Sequence, residues 1–88
     1  MHYVYILHSD KDNGLYIGQT DNLKRRLGEH KTGSVVSTKN RLPVTLIFYE
    51  AFLIKDDAIA REEYLKSGYG RAQLKNVLKN IFAKFDIK

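Results

Sequence analysis

Residues Leu15 to His30 place a short β-forming run, a glycine and a basic helical segment directly after one another. The run Leu15–Gly18 predicts a β-strand, because it is bulky, partly β-branched and preceded by the turn-forming segment Asp12–Gly14. A helix over 21–31 follows, with Asp21 or Asn22 as its N-cap. We expect this helix to pack on the sheet to which the strand belongs.

Two polar side chains border the apolar stripe of this helix. Leu23 and Leu27 mark the stripe, and at roughly 100° per residue Arg26 and His30 lie within about 60° of it. A helix in a purely structural domain usually turns its arginine outward and fills such positions with apolar groups. The pattern therefore indicates a functional site on the face that meets the sheet.

Two further apolar runs predict the rest of the sheet. Tyr3–Leu7 is short and almost continuously apolar, which is typical of a strand covered on both faces. The hairpin signal Asn13-Gly14 makes this strand antiparallel to the next one, which can set Tyr5 near Tyr16. Val44–Phe52 is the longest apolar run and predicts a third strand that forms much of the core.

The segments around this third strand predict a loop and a second helix. Ser34–Leu42 has no clear period and carries two cations, so we expect an exposed basic loop. After the third strand, Lys55–Lys66 predicts a helix with Asp56 as its cap.

The C-terminal part predicts a last helix and completes the architecture. Gly68 and Gly70 bracket a tight connection, and Ala72–Phe85 has apolar residues at i, i+3, i+4, i+7 and i+11. The order β-β-α-β-α-α predicts an α+β fold with a small three-stranded antiparallel sheet, in the order 2-1-3, flanked by three helices. Eighty-eight residues suffice for one such domain, over 1–88, and are too few for a second core.

The charge of the chain favours a polyanionic partner. Its net charge is +5, which points to nucleic acid. The absence of cysteine excludes a disulfide framework, a thiolate zinc site and a cysteine nucleophile. Any metal must be held by oxygen or imidazole, and His2 and His8 have no partner at metal-ligand spacing. Neither a signal peptide nor a membrane-spanning run is visible, so we expect a cytoplasmic protein.

Five side chains on different elements have the chemistry that phosphodiester cleavage requires. Tyr5 and Tyr16 come from adjacent strands, Arg26 and His30 from the first helix, and Glu62 from the second. The reaction needs an activated oxygen nucleophile, a proton acceptor, a positive group for the pentavalent charge and usually a divalent cation. Because each of these elements contributes to one core, we expect the five side chains to converge on one face of the sheet.

Glu62 is the most informative of the five, because helical spacing places it on an apolar stripe. A lone carboxylate there costs several kcal/mol unless it is paired or binds a metal. One interpretation is a salt bridge with Arg26, Arg61 or Lys66. The other is a single hard oxygen ligand for Mg²⁺ or Mn²⁺, with water and substrate phosphate completing the shell.

Each of the other four also has a structural interpretation. Tyr5 and Tyr16 can be strand aromatics with satisfied hydroxyls, since a tyrosine with a pKa of about 10 needs a nearby cation or metal to act as a base. Arg26 can fork two phosphate oxygens or pair with Glu62. His30 can relay a proton, hold a phosphate, or be an ordinary histidine near a helix end. The sequence leaves these alternatives open.

A basic surface accompanies these five residues. Its cations can contact phosphates, although no sequence-reading motif is visible. A glycine in a strand can mark a bulge or the close approach of a phosphate or helix. The residues that we expect at a nucleic-acid interface are Gly18, Arg25, Lys31, Lys39, Arg41, Lys66 and Arg71.

Five short pieces, in order along almost the whole chain, resemble the GIY-YIG nuclease superfamily in its short stand-alone bacterial branch. They are Tyr3-Val4-Tyr5, Tyr16-Ile17-Gly18, Arg26 and His30 in NLKRRLGEH, and Glu62 in AIAREEYLK. The resemblance implies the fold of the amino-terminal domain of the bacterial excision-repair nuclease. It also implies a Mg²⁺-dependent endonuclease that hydrolyses DNA, associated with the nucleoid and with a repair protein as a further partner.

The resemblance also implies a role for each residue. Tyr16 is similar to the tyrosine that activates the attacking water, and Tyr5 to the tyrosine of the first motif. Arg26 resembles the arginine set against the scissile phosphate, and His30 the residue that follows it by one helical turn. Glu62 resembles the single metal-binding glutamate, which would hold Mg²⁺ or Mn²⁺.

Two departures from the family pattern bear on activity. Tyr3 stands where the eponymous glycine would be, and Gln19 stands where the repair enzyme has a lysine. The second change removes one cation that could activate a base. Weak or partner-dependent turnover is therefore one expectation, and a non-catalytic nucleic-acid-binding module or an adaptor of a repair complex are the alternatives.

Overall fold

One antiparallel sheet and four helices organise the chain in the computed structural model, which describes residues 1–88. The elements are, in chain order, β1 (His2–Ser9), β2 (Leu15–Thr20), α1 (Leu23–Lys31), β3 (Val44–Phe52), α2 (Lys55–Lys66), α3 (Gly68–Val77) and α4 (Lys79–Phe85). The sheet order β2-β1-β3 confirms the predicted 2-1-3 arrangement and the α+β class.

β1 is the central strand, and it is covered on both faces as its apolar sequence predicts. It pairs antiparallel with β2, placing Tyr5 opposite Gly18, and antiparallel with β3, placing Tyr5 opposite Tyr49. A positive φ of 57° at Asn13 closes the β1–β2 hairpin, since asparagine tolerates the left-handed region. The hairpin therefore carries two tyrosine-bearing strands side by side.

Alternation along β1 divides the sheet into two different faces. On one, which we call the apolar face, Val4 and Ile6 pack in a buried cluster with residues of α2, α3 and α4, namely Ala58, Leu65, Leu74 and Phe82. Full burial of such side chains stabilises the fold by about 1.5–3 kcal/mol each. On the other, which we call the phenol face and define by Tyr5, Tyr16 and Gly18, Tyr5 meets His30 of α1.

The first two helices begin near the predicted positions but with different caps. Asn22, one of the two predicted N-caps of α1, accepts a hydrogen bond from the Arg25 amide at 3.0 Å. Asp56 is not the cap of α2, because the helix starts at Lys55 and the cap position is Ile54. Asp56 lies in the first turn instead, where its carboxylate still favours the positive end of the helix dipole.

The C-terminal part holds two helices where one was predicted, so the fold has four helices rather than three. α3 ends at Val77 and α4 begins at Lys79, with Leu78 between them at φ −109° and ψ 34°. The apolar spacing of Ala72–Phe85 runs across this break, and residues of both helices pack on the same core, although Val77 of the predicted stripe is 59% exposed. Periodicity alone therefore cannot reveal it.

The segment predicted as a glycine-rich connection is the first turn of α3. The Ser67 side chain accepts a hydrogen bond from the Gly70 amide at 3.2 Å and caps the helix. A Cβ on Gly70 would lie 2.0 Å from the carbonyl oxygen of Tyr64. Gly70 is thus the point at which α3 crosses the end of α2, and the prediction of a loop there was wrong.

The segment between α1 and β3 is not uniformly exposed. Val35 and Thr38 are buried, and a short 3₁₀ turn spans Lys39–Arg41. The expectation of an exposed basic loop is confirmed for Lys39. It is wrong for Val35 and Thr38, which are buried near the end of α1.

Candidate active site

Three aromatic rings from three elements pack against one another on the phenol face. The Tyr5 hydroxyl lies 2.8 Å from Nε2 of His30, and both residues are almost completely buried. The ring centroid of Tyr16 lies 6.2 Å from that of Tyr5 and 5.2 Å from that of His30. β1, β2 and α1 therefore bring together three residues, of which the first and the last are 25 positions apart along the chain.

Gly18 makes room for Tyr5. A Cβ at this position would lie 2.6 Å from the Tyr5 hydroxyl oxygen and 3.0 Å from Cε2 of Tyr16. The strand pairing puts Gly18 directly opposite Tyr5, so the phenol ring lies across the glycine. The close approach that the sequence predicts at Gly18 is made by this ring rather than by a phosphate or a helix.

Arg26 supplies the positive charge at the rim of this cluster. Its side chain is 34% exposed and forms an ion pair with Glu29 at 3.0 Å, so its carboxylate partner is Glu29 rather than Glu62. Its guanidinium also lies near the Tyr5 hydroxyl, and the interactions with Glu29 and Tyr5 raise the pKa of Arg26 above its ordinary value. The guanidinium stays cationic and keeps part of its surface open to solvent.

The environment keeps Tyr5 and His30 uncharged at neutral pH. Burial raises the pKa of Tyr5 to about 12, although the Arg26 guanidinium acts in the opposite direction. Burial, and then the positive charge of Arg26, lower the pKa of His30. Tyr5 is therefore a proton donor rather than a base, and His30 is a neutral imidazole.

Thr38 is a member of the cluster that sequence reasoning missed. Its hydroxyl oxygen lies 2.7 Å from Nδ1 of His30, and its exposed fraction is 0%. The loop around it has no period, and a threonine carries no charge or motif that would single it out. Only the path of the chain over α1 reveals this contact.

Glu62 lies on α2, which is not one of the three elements that form the aromatic cluster. Its neighbours on the helix, Ala58 and Leu65, belong to the buried cluster on the apolar face, so α2 packs on the side of the sheet opposite Tyr5. The Glu62 side chain is 18% exposed and forms an ion pair with Lys66 at 3.4 Å. The structure thus gathers four of the five predicted residues on one face and leaves Glu62 on a helix that packs on the other face.

A groove of about 500 Å³ lies between the edge strand β2 and the junction of α2 with α3. Tyr16 lines one side, and Lys66 and Arg71 line the other. The remaining lining residues are Leu15, Ile17, Leu65, Ser67 and Gly68. Because β2 is an edge strand, its tyrosine can face both the aromatic cluster and this groove.

Glu62 has the chemistry of a weak hard-metal ligand. No group of three or more His, Cys, Asp or Glu side chains is arranged to hold a metal. A single carboxylate fits Mg²⁺ or Mn²⁺ only if water and phosphate oxygens complete the shell. Its ion-pair partner Lys66 is 56% exposed, and a pair with such an exposed member contributes little stability, so a bound cation would have to displace Lys66 from this oxygen.

The other predicted interface residues divide into paired and unpaired cations. Arg41 forms two hydrogen bonds with Asp12, at 2.6 and 3.1 Å, and Arg71 donates to the carbonyl of Lys88 at 2.9 Å. Arg25 lies within 3.3 Å of Asp21. Lys31 and Lys39 are exposed and have no salt-bridge partner among the ion pairs of the structure.

Comparisons with known proteins agree with this geometry. A family model described as the GIY-YIG catalytic domain matches residues 1–76. A UPF0213 protein of Staphylococcus haemolyticus is 40% identical over 77 residues, which cover 86% of this chain and 93% of that protein. A UPF0213 protein of Natronomonas pharaonis is 45% identical over 67 residues, which cover 75% of this chain and 78% of that protein.

A solved structure shows the same fold. The solution NMR structure of a UPF0213 protein from Bacillus halodurans matches with a TM-score of 0.55 and 34% identity, covering 86% of this chain and 83% of that one. None of the four helices here has the length and apolar character needed to cross a membrane. With the family model covering most of its residues, the chain belongs to the GIY-YIG family, in the UPF0213 group of small bacterial and archaeal proteins.

Proposed function

We propose that this protein is a divalent-metal-dependent endonuclease that hydrolyses phosphodiester bonds in DNA, acting as one domain over 1–88. The observation that carries the proposal is the buried Tyr5–His30 pair with Tyr16 and Arg26 at its open side, next to a groove flanked by cations. A purely structural core would not place two phenols, an imidazole and a guanidinium in mutual contact.

Differences in burial separate the roles of the two phenols. Tyr5 is 1% exposed and keeps its proton, so it donates a hydrogen bond and positions its neighbours. Tyr16 is less buried and lines the groove, so it can reach a water molecule there and, as a phenolate, take its proton. His30 orients Tyr5 through Nε2.

Arg26 is the electrostatic stabiliser in this proposal. A guanidinium can bind two phosphate oxygens at once, and its effect is greatest on the charge that develops in the transition state. Its pairing with Glu29 and Tyr5 fixes its direction while a third of its side chain stays accessible. Arg26 can therefore contact substrate without a large rearrangement.

Glu62 would hold the divalent cation through one carboxylate oxygen. When bound, the cation supplies neutralisation of phosphate charge. Lys66 would be released from Glu62 and become available, with Arg71, for neighbouring phosphates along the groove.

The expected substrate is DNA without strong sequence specificity. The net charge of +5 and the unpaired Lys31 and Lys39 support phosphate contacts. A domain this small offers little surface for reading base edges, which favours structure-selective or nonspecific cutting. We expect the protein to act in the cytoplasm, at the nucleoid, and to have a repair protein as a partner.

The Glu62–Lys66 ion pair favours a second candidate, a non-catalytic nucleic-acid-binding module. If Lys66 keeps Glu62 occupied, the chain retains its basic groove and lacks turnover. Binding that falls steeply with salt, without cleavage under any metal condition, would identify this candidate.

The test of the proposed activity is a cleavage panel with matched glutamate variants. Single-stranded, branched and supercoiled DNA are incubated with Mg²⁺, with Mn²⁺ or with chelator. We expect metal-dependent cleavage that Glu62→Gln slows roughly hundredfold, equivalent to about 2.7 kcal/mol of transition-state stabilisation. Glu63→Gln, at the exposed neighbouring position, is the control and should cleave at the wild-type rate.

Two outcomes would contradict the proposal. Cleavage that survives chelation, or that is equal in Glu62→Gln and wild type, would remove Glu62 as the metal ligand. Binding without cleavage by the wild-type protein on all three substrates would establish the second candidate instead.

A further inference from the structure

Thr38, His30 and Tyr5 form a continuous chain of polar contacts inside the protein. Thr38 Oγ1 lies 2.7 Å from Nδ1 of His30, and Nε2 of the same ring lies 2.8 Å from the Tyr5 hydroxyl. The exposed fractions of the three residues are 0%, 0% and 1%. At the Tyr5 end of this chain, the neighbours are Tyr16 and Arg26.

Proton counting selects one direction for these hydrogen bonds. A neutral imidazole has one N–H and one acceptor nitrogen. If Nδ1 carried the proton, it would donate to Thr38, and the Thr38 O–H would be buried without an acceptor, because His30 is its one hydrogen-bond partner. An orphaned buried donor costs about 1–3 kcal/mol. If Thr38 donates to Nδ1 instead, Nε2 carries the proton and donates to Tyr5, whose own O–H has the neighbouring Tyr16 as an acceptor.

We propose that Thr38 fixes His30 as the Nε2–H tautomer and thereby directs the Tyr5 hydroxyl proton outward, towards Tyr16 and the groove. Thr38 is a positioning residue, since it acts on the site only through His30. With Tyr5 accepting from His30, its own proton is free to be donated to Tyr16 or to a phosphate oxygen. The catalytic consequence rests on the proposed function; the tautomer does not.

The backbone around Thr38 holds its side chain in place. Its amide donates to the Val35 carbonyl at 3.1 Å, and its carbonyl accepts from the Arg41 amide at 2.9 Å. A β-branched side chain on such a fixed backbone has few rotamers available. The hydroxyl is therefore presented to His30 before any substrate binds.

The first experiment reads the tautomer directly. Long-range ¹H–¹⁵N NMR spectra of the ¹⁵N-labelled wild-type protein, without DNA or metal and at about pH 7.5, where an ordinary histidine is neutral, identify which ring nitrogen of His30 is protonated. We expect a protonated Nε2 and an unprotonated Nδ1 that accepts a hydrogen bond. A predominant Nδ1–H form would overturn the proposal.

Two substitutions of Thr38 separate the hydroxyl from the shape of the side chain. Thr38→Val keeps the shape and removes the donor, so we expect the ¹⁵N shift of Nδ1 to move towards that of a free acceptor and the Nδ1–H form to appear. Thr38→Ser keeps the donor and should preserve the wild-type shifts. In the cleavage assay we expect Thr38→Val to be about tenfold slower and Thr38→Ser to stay within about twofold, the scale of one buried hydrogen bond.

The outcomes distinguish this proposal from the proposed function. Identical His30 spectra in wild type and Thr38→Val would overturn the role of Thr38, whatever the cleavage assay shows. If Thr38→Val does not fold, the wild-type tautomer and Thr38→Ser decide alone. The Nε2–H tautomer in a protein that cleaves no DNA would support the role of Thr38 and overturn only the nuclease.

Discussion

The two faces of the sheet differ in chemistry although one strand supplies both. On the apolar face, Val4 and Ile6 belong to a buried cluster of hydrophobic side chains from α2, α3 and α4. On the phenol face, Tyr5 meets an imidazole, a guanidinium and a second phenol. The first arrangement supplies nondirectional burial energy, whereas the second requires every polar group to have a partner. The hydrophobic cluster and the polar aromatic cluster therefore lie on opposite sides of β1.

Tyr16→Phe should have the largest effect on activity and little effect on folding. It removes the proposed proton acceptor, and general-base contributions are about 10²- to 10⁴-fold in rate. The ring remains, so the contacts with Tyr5 and His30 are kept. Single-turnover cleavage and urea unfolding of the same variant measure both quantities. Near wild-type cleavage would exclude Tyr16 as the base.

Leu74→Ala should have the opposite profile. Leu74 is 1% exposed in the cluster on the apolar face, and truncating such a side chain costs about 2–5 kcal/mol of unfolding free energy. Cleavage per folded molecule should not change, since Leu74 belongs to the cluster on the apolar face and not to the phenol face. If activity per folded molecule fell as strongly as in Tyr16→Phe, packing on the apolar face and activity on the phenol face would not be independent.

Gly18→Ala tests the packing within the phenol face. A Cβ would lie 2.6 Å from the Tyr5 hydroxyl oxygen, and we expect a loss of about 1–3 kcal/mol in unfolding free energy as Tyr5 is displaced. Gly28→Ala is the matched control, because a Cβ there has no neighbour within 4 Å on α1. That change should stabilise the protein by about 0.5–1 kcal/mol. Equal effects at the two glycines would contradict the close contact at Gly18.

A pH titration of stability should show the smallest effect. The pKa of His30 is lowered in the folded state, so between that value and about 6.5 the unfolded chain binds the proton more readily. The stability contributed by neutral His30 is complete above about pH 6.5 and is lost as the pH falls through this window. Urea midpoints should therefore decline less from pH 7.5 to 5.5 in His30→Gln than in wild type. An equal decline would show that His30 does not titrate with folding.

The strands and the first helix were predictable because their signals are local. A β-forming run, an Asn-Gly turn and a capping asparagine each act over a few residues, and β1, β2 and α1 follow from them. The break at Leu78 and the start of α3 at Gly68 were not predictable, because they depend on how α3 crosses α2 at Gly70. The hydrophobic periodicity of a helix does not indicate where it contacts another helix.

The site was predictable to the extent that its residues carry unusual chemistry. Tyr5, Arg26 and His30 could be named from the sequence, and the structure places them in contact. Thr38 carries no such signal. For His8 the sequence indicated only that it is not a metal ligand. In the structure it is 3% exposed, forms a hydrogen bond with Asn13 at 2.7 Å and has its ring centroid 4.8 Å from that of Phe85.

The order of amino acids alone decided the three strands and the first two helices, because propensity and periodicity are properties of neighbouring residues. Tertiary packing alone decided that Tyr5, Tyr16, Arg26 and His30 share one face while Glu62 lies on α2, which packs on the other face. It also decided that a threonine in an irregular loop controls the direction of a buried hydrogen-bond chain. Distances of a few ångströms between residues far apart in the chain depend on the crossing of whole elements, which no local pattern specifies.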